Sequence, residues 1–262
     1  MGAHELLQQG NLTAAIDAAT QDVKAKPGDV AIRVLLFELL AAAGEFERAQ
    51  KHLDVITDKS PDMAQGAGSY RAVLTAEVAR AKLFARGEGA PQRMTYVPLD
   101  PEPMLGALHR LRSGAAAEAA SMLAQAADGR PPRPGAVNGR RFDDWRDADD
   151  LLAPVLEVIA NGLYGWIPFT QIARMTFEPP RYLRDLLWRP VTVTLLGGES
   201  SAMFVPVRYP GSETSSDDTL RLGRSTDWRD TEGVVTGIGQ RTFLAGEDAC
   251  AILEAKEIEF DT

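Results

Sequence analysis

Apolar and small residues recur with helical spacing through the first half of the chain, and the pattern repeats. Gly10-Asn11-Leu12-Thr13-Ala14-Ala15 aligns with Gly44-Glu45-Phe46-Glu47-Arg48-Ala49, and Pro27 aligns with Pro61, each pair 34 residues apart. A displaced third copy has Gly114, Ala119 and Pro131 at the offsets that relate Gly10, Ala15 and Pro27. Such a period is the signature of stacked helical hairpins. Each glycine is expected in the turn between two helices, where a positive φ costs little without a Cβ. The alanine five residues on is expected where two helices cross closely, and the proline where the second helix stops.

These are the tasks of the TPR consensus positions. Residues 62–86 read as a longer helix with Tyr70, Val73, Leu74, Ala81 and Phe84 on one stripe, and 87–103, rich in proline, as an irregular connection. The first helix is expected to begin near Ala3. Residues 129–135 form a Gly/Pro-rich linker. Beyond it, 147–161 reads as a helix ended by Asn161-Gly162, and 181–188 as a short helix bounded by prolines. The pattern then alternates with period two: 191–196, 203–208, 219–222, 234–236, 240–245 and 250–259 are expected strands, mostly antiparallel because their connections are short. The fold class is α+β. A TPR-like helical domain over 1–130 is followed by a smaller α+β domain over 138–262.

The formal charge of −9 sits mainly in the second half, where residues 138–262 carry 13 Lys/Arg against 21 Asp/Glu. A field of that sign repels phosphate backbones, and no local basic patch argues for nucleic-acid binding. No stretch reaches the roughly 20 apolar residues that span a bilayer. The opening residues, with an acid at Glu5 and no basic start, do not resemble a secretion signal, so a cytoplasmic location is expected. The single cysteine, Cys250, leaves no internal disulfide and no Cys-pair metal site.

Candidate chemistry is sparse. His4, His52 and His109 fall in expected repeat helices without metal-ligand spacing, and no histidine lies in the second domain to activate Cys250. Gly197-Gly198 and Gly237-Ile238-Gly239 read as tight β-turns, because no expected helix follows that could hold an anion. Asp143, Asp144, Asp147, Asp149 and Asp150 read as helix initiation and solubility. Trp166, Trp188 and Trp228 are either partner anchors or core. Arg184, Arg189 and Arg208 either grip a partner's carboxylates or pair within the chain. Aligned on the TPR consensus, the second repeat places Ala31, Val34, Glu38, Ala41 and Ala42 on its inner face. That face either receives an amphipathic helix or packs on helix 62–86 or the second domain.

The second half carries a specific series: Gly165-Trp166-Ile167-Pro168-Phe169, Phe177-Glu178-Pro179-Pro180, Leu183-Arg184-Asp185-Leu186-Leu187-Trp188-Arg189-Pro190, Tyr209-Pro210-Gly211-Ser212 and Leu222-Gly223-Arg224-Ser225-Thr226-Asp227-Trp228. In this order the motifs resemble the ImpE family, also called TagJ or SciE-type proteins, accessory components of bacterial type VI secretion. The resemblance spans nearly the whole chain. It implies a non-enzymatic adaptor without cofactor or metal, which binds the amino-terminal helix of the small contractile-sheath subunit and links it with the AAA+ ATPase that recycles contracted sheaths. Two other readings stand beside it: a hydrolase or small-ligand-binding module in the carboxyl domain, and a self-associating structural component.

Overall fold

In the computed structural model, residues 1–95 and 100–261 are described. The helical part opens with α1 (Ala3–Gln8) and α2 (Leu12–Ala25), then α3 (Val30–Ala42) and α4 (Phe46–Lys59), then the long α5 (Pro61–Arg86). A short strand β1 (Gln92–Arg93) precedes the last hairpin, α6 (Glu102–Arg112) and α7 (Ala116–Asp128). Residues 96–99 of the expected irregular connection lie outside the described residues.

The repeat positions do what their chemistry demands. Gly10, Gly44 and Gly114 turn the three hairpins with φ of +79°, +76° and +82°. Ala15, Ala49 and Ala119 are wholly buried. Pro61 has a second task, since it both follows the end of α4 and opens α5 at its first turn, where its missing amide hydrogen costs nothing. The α3 segment is mostly apolar and is buried from Leu35 to Ala42, Glu38 included, as expected of a helix enclosed by neighbours.

The sheet part begins with β2 (Gly135–Val137), β3 (Arg140–Phe142), β4 (Trp145–Asp147), β5 (Val155–Ala160), β6 (Leu163–Pro168) and β7 (Ile172–Phe177). A 3₁₀ turn at Leu183–Leu186 leads to β8 (Trp188–Leu195) and β9 (Ser200–Pro206). After a one-turn helix α8 (Asp218–Arg221) come β10 (Thr226–Thr231), β11 (Val234–Gly239), β12 (Thr242–Ala245), β13 (Asp248–Ala251) and β14 (Glu257–Phe260). Nine strands form one sheet in the order β1-β6-β5-β9-β8-β7-β14-β2-β3, β13-β12-β4 form a second, and β10-β11 a ribbon. All pairs are antiparallel except β1 with β6.

Four expected elements differ. The helix expected over 147–161 is the end of β4, a turn and strand β5. Its apolar run, broken only by Glu157, does not alternate because β5 is buried on both faces: Val155 and Ile159 join the helix-side core, Leu156 and Val158 the core behind the sheet. Such a run cannot be told from a helix by periodicity, and Pro154 with the β-branched Val155, Val158 and Ile159 favours the strand. Asn161-Gly162, at φ +51° and +78°, is a two-residue hairpin turn rather than a helix end, as is Asn138-Gly139. The strand expected over 219–222 is α8, capped by Asp217 accepting from the Thr219 amide. The helix expected over 181–188 shrinks to the 3₁₀ turn, and the run 250–259 breaks into β13 and β14.

The helix-side core is continuous across both parts. Leu36, Phe37, Leu40 and Leu74 from the helices belong to the same cluster as Val155, Tyr164, Trp166, Trp188 and Leu222. Half-buried Tyr70 on α5 packs against it, with ring centroids 6.0 Å from Phe37, 6.4 Å from Trp188 and 5.7 Å from Phe204.

Candidate interaction groove and the buried lock beside it

One helical turn of α5 places Glu77 and Arg80 three residues apart on the face that meets the sheet, and both are buried. Arg80 Nε and Nη2 donate to the two carboxylate oxygens of Glu157 on β5 at 2.8 and 2.9 Å, and Nη2 also donates to the Arg208 carbonyl at 2.8 Å. Its Nη1 donates to Glu77 at 2.8 Å, and the other Glu77 oxygen accepts from Trp188 Nε1 at 2.9 Å. Glu157 also accepts from the Tyr164 hydroxyl and from Arg241, which in turn donates to Asp147. Trp166 Nε1 donates to the Tyr164 hydroxyl at 2.6 Å. The Tyr209 hydroxyl lies 2.8 Å from Asp147 Oδ1 and accepts from the Thr242 amide. Burial alone would raise the Glu157 carboxyl, but Arg80 and Arg241 beside it reverse this and hold it at about 2. Asp149, buried next to Asp147, is pushed up to about 7.

Around this lock the carboxyl part grips helix ends. Arg208 Nη1 donates to the Ala42 carbonyl at the end of α3 at 2.7 Å, and Arg224 Nη2 to the Leu7 carbonyl at the end of α1 at 2.8 Å. Asp218 accepts from the Leu12 amide at the start of α2 at 2.8 Å, and Arg184 pairs with Glu38. Cations thus meet carboxyl ends and an anion meets an amino end, the favourable sense for helix dipoles. Gly44 has a second constraint here, since a Cβ on it would lie 2.6 Å from Glu213 Cγ.

The residues singled out from the sequence therefore divide. Glu38, Ala41, Ala42, Trp166, Trp188 and Arg208 are buried inside this chain, and the inner face of the second repeat is filled by the chain's own carboxyl part. Ala31 is exposed and Val34 half-buried. Trp228, on β10, is 39% exposed. Arg189 stacks on Phe177 with Cζ 4.8 Å from the ring centre. The Cys250 thiol is buried and pushed up to about 11.

The acid cluster is not a helix start. Asp144 pairs with Arg130, Asp147 with Arg241, Asp149 accepts from the Gly237 amide at 2.9 Å and Asp150 from the Val235 amide at 2.7 Å, so the last two pin the β10–β11 ribbon. Gly237 lies inside β11 rather than in a turn, because a Cβ there would fall 2.2 Å from the Tyr209 ring.

Sequence reasoning missed an open feature beside this ribbon. A groove of about 440 Å³ runs between α7 and the β10–β11 turn, lined by Leu123, Ala124 and Ala127 on the helix and by Pro154, Gly233 and Val234 opposite. Its side walls are the ion pairs Arg130–Asp144 and Arg146–Asp150. A second groove of about 470 Å³ shares Arg146 and Asp150 and leads to Trp228 and Leu244. The available signal was α7 itself, whose alanines at 120, 124 and 127 recur on one helical face. No serine, threonine, cysteine or histidine lines the first groove. Among the described residues there is no cluster of His, Cys, Asp or Glu able to hold a metal, and no helix long and apolar enough to cross a membrane.

Two outcomes test the lock. Arg80→Ala leaves Glu157 and Glu77 buried with less compensation, so it is expected to cost about 3–5 kcal/mol in chemical unfolding. Asp149 gives the second. The unfolded chain releases this proton near pH ~4, but the folded chain holds it to about 7. Folding therefore retains a proton in that window, so the contribution of Asp149 lowers stability as pH rises through it. Unfolding free energies at pH 5 and pH 8 are expected to differ less in Asp149→Asn than in the parent chain.

Comparison with known proteins agrees with this architecture. Residues 139–259 match the family model described as ImpE protein, and residues 6–71 match a tetratricopeptide-repeat model. The chain is 34% identical over 261 residues to the "Type VI secretion system accessory component TagJ" of Pseudomonas aeruginosa, covering 100% of this chain and 92% of that protein. The X-ray crystal structure of a protein from Vibrio parahaemolyticus superposes with a TM-score of 0.91 at 26% identity, covering 99% of this chain and 97% of that one. A helical-repeat array closed by this particular sheet domain, matched along its whole length, makes the chain a member of the ImpE/TagJ family of type VI secretion accessory proteins.

Proposed function

We propose that the chain is a non-enzymatic adaptor of a bacterial type VI secretion machine. It holds a helical segment of the contractile-sheath small subunit in the cytoplasm and links it to the AAA+ ATPase that recycles contracted sheaths. The observation that carries this reading is the open apolar groove beside α7, about 440 Å³, which offers contact area rather than reactive groups. The strongly perturbed titratable groups support it from the other side. Glu157, Asp147 and Asp149 are spent on hydrogen bonds inside the body, away from solvent. Of the residues named from the sequence, Ala31, Val34 and Trp228 keep surface for a partner.

Calorimetric titration of the full chain with a peptide of the sheath subunit's amino-terminal helix is expected to give a Kd on the order of micromolar, the range of a single helix in a groove. Absence of measurable binding at concentrations well above that range would remove the sheath from the reading. Val34→Asp and Trp228→Ala divide the remaining surface between the array and the ribbon. A charge at Ala41 is unsuitable, since that residue is fully buried.

A further inference from the structure

We infer that the groove between α7 and the β10–β11 turn receives a positively charged amphipathic helix. This rests on the adaptor reading, which takes a helical protein segment as the occupant of this groove, and adds the charge of that helix. Three observations combine. The α7 wall is built from small residues, with Ala124 and Ala127 exposed, so a second helix can approach the backbone closely. The opposite wall is fixed, because Asp150 holds the Val235 amide at 2.7 Å and Asp149 the Gly237 amide at 2.9 Å. A preformed wall loses little order on binding.

The third observation selects the charge. Both guanidinium groups on the groove, Arg130 and Arg146, are already matched by Asp144 and Asp150. Next in sequence to lining residues stand two exposed acids, Asp128 beside Ala127 on α7 and Glu232 beside Gly233 in the β10–β11 turn. Neither forms an ion pair among the described residues. The last turn of α7 supplies the lining residues Ala126 and Ala127 and brings the negative end of the helix dipole beside them. An apolar floor whose lining charges cancel, flanked by these two acids, is complementary to a helix that carries one apolar row flanked by lysine or arginine. An acidic helix of the same apolar row meets like charge there. The second groove extends the contact toward Trp228, an aromatic able to cover the far end of the ligand.

The test uses the full chain and two designed helical peptides with the same apolar row, one with lysine and one with glutamate on the polar face. The lysine peptide is expected to bind at least tenfold tighter, with affinity falling as salt rises. The double variant Ala124→Gln/Ala127→Gln fills the groove at exposed helix positions without changing charge and is expected to weaken the lysine peptide at least tenfold. Asp128→Asn/Glu232→Gln is expected to reduce the preference between the two peptides. Circular dichroism checks that both variants fold. Equal binding of the two peptides, no binding of either, or a lysine peptide indifferent to the Ala124/Ala127 variant overturns the assignment. Because neither peptide comes from the sheath, these results stand apart from success or failure of the sheath titration.

Discussion

The structure turns on one buried guanidinium. Arg80 reaches from the middle of α5 into the sheet and spends its donors on Glu157, Glu77 and the Arg208 carbonyl. Burying a charge is costly unless every partner is in place. Here the partners come from both parts of the chain, so each part desolvates a group that only the other can satisfy. Arg80, Arg208 and Arg241 are balanced by Glu77, Glu157 and Asp147, while Asp149 keeps its proton until about pH 7. The helices and the sheet are thereby held in one relative orientation, over a core that includes Phe37 and Leu74 from one side and Trp188 and Val155 from the other.

This arrangement explains an otherwise short array. A few hairpins make a poor free-standing solenoid, whose terminal units need covering. The carboxyl part supplies the cover by placing Arg208 and Arg224 on helix ends, Asp218 on a helix start, and Trp188 against Tyr70. The segments that mark the family in sequence, around Arg184, Trp188, Tyr209 and Arg224, are largely this cover. What remains outside this cover, the α7 groove and the Trp228 ribbon, keeps open surface.

Much of the fold was legible because its rules are local. A glycine in a turn, an alanine at a helix crossing and a proline at a helix end each act within a few residues, and the antiparallel strands follow from short connections. The strand β5 was not legible, because burial on both faces erases the alternation that distinguishes strand from helix. Nor was the lock. Arg80 and Glu157 are 77 residues apart, and nothing near either one names the other. For the same reason Arg208 and Trp188 looked like partner anchors: an arginine fork or an indole serves an internal carboxylate and an external one alike. The groove escaped notice because most of its α7 wall is alanine, whose significance lies in the space it leaves.

Joined in this way, the helical array and the sheet form a single cooperative body. The most direct test is urea unfolding of the whole chain, followed in parallel by far-ultraviolet circular dichroism, which reports mainly the helices, and by the fluorescence of Trp145, Trp166 and Trp188, buried in the sheet part. The two signals are expected to change together in one transition with the same midpoint. Loss of helix at a urea concentration where the tryptophans still report a folded sheet would contradict it.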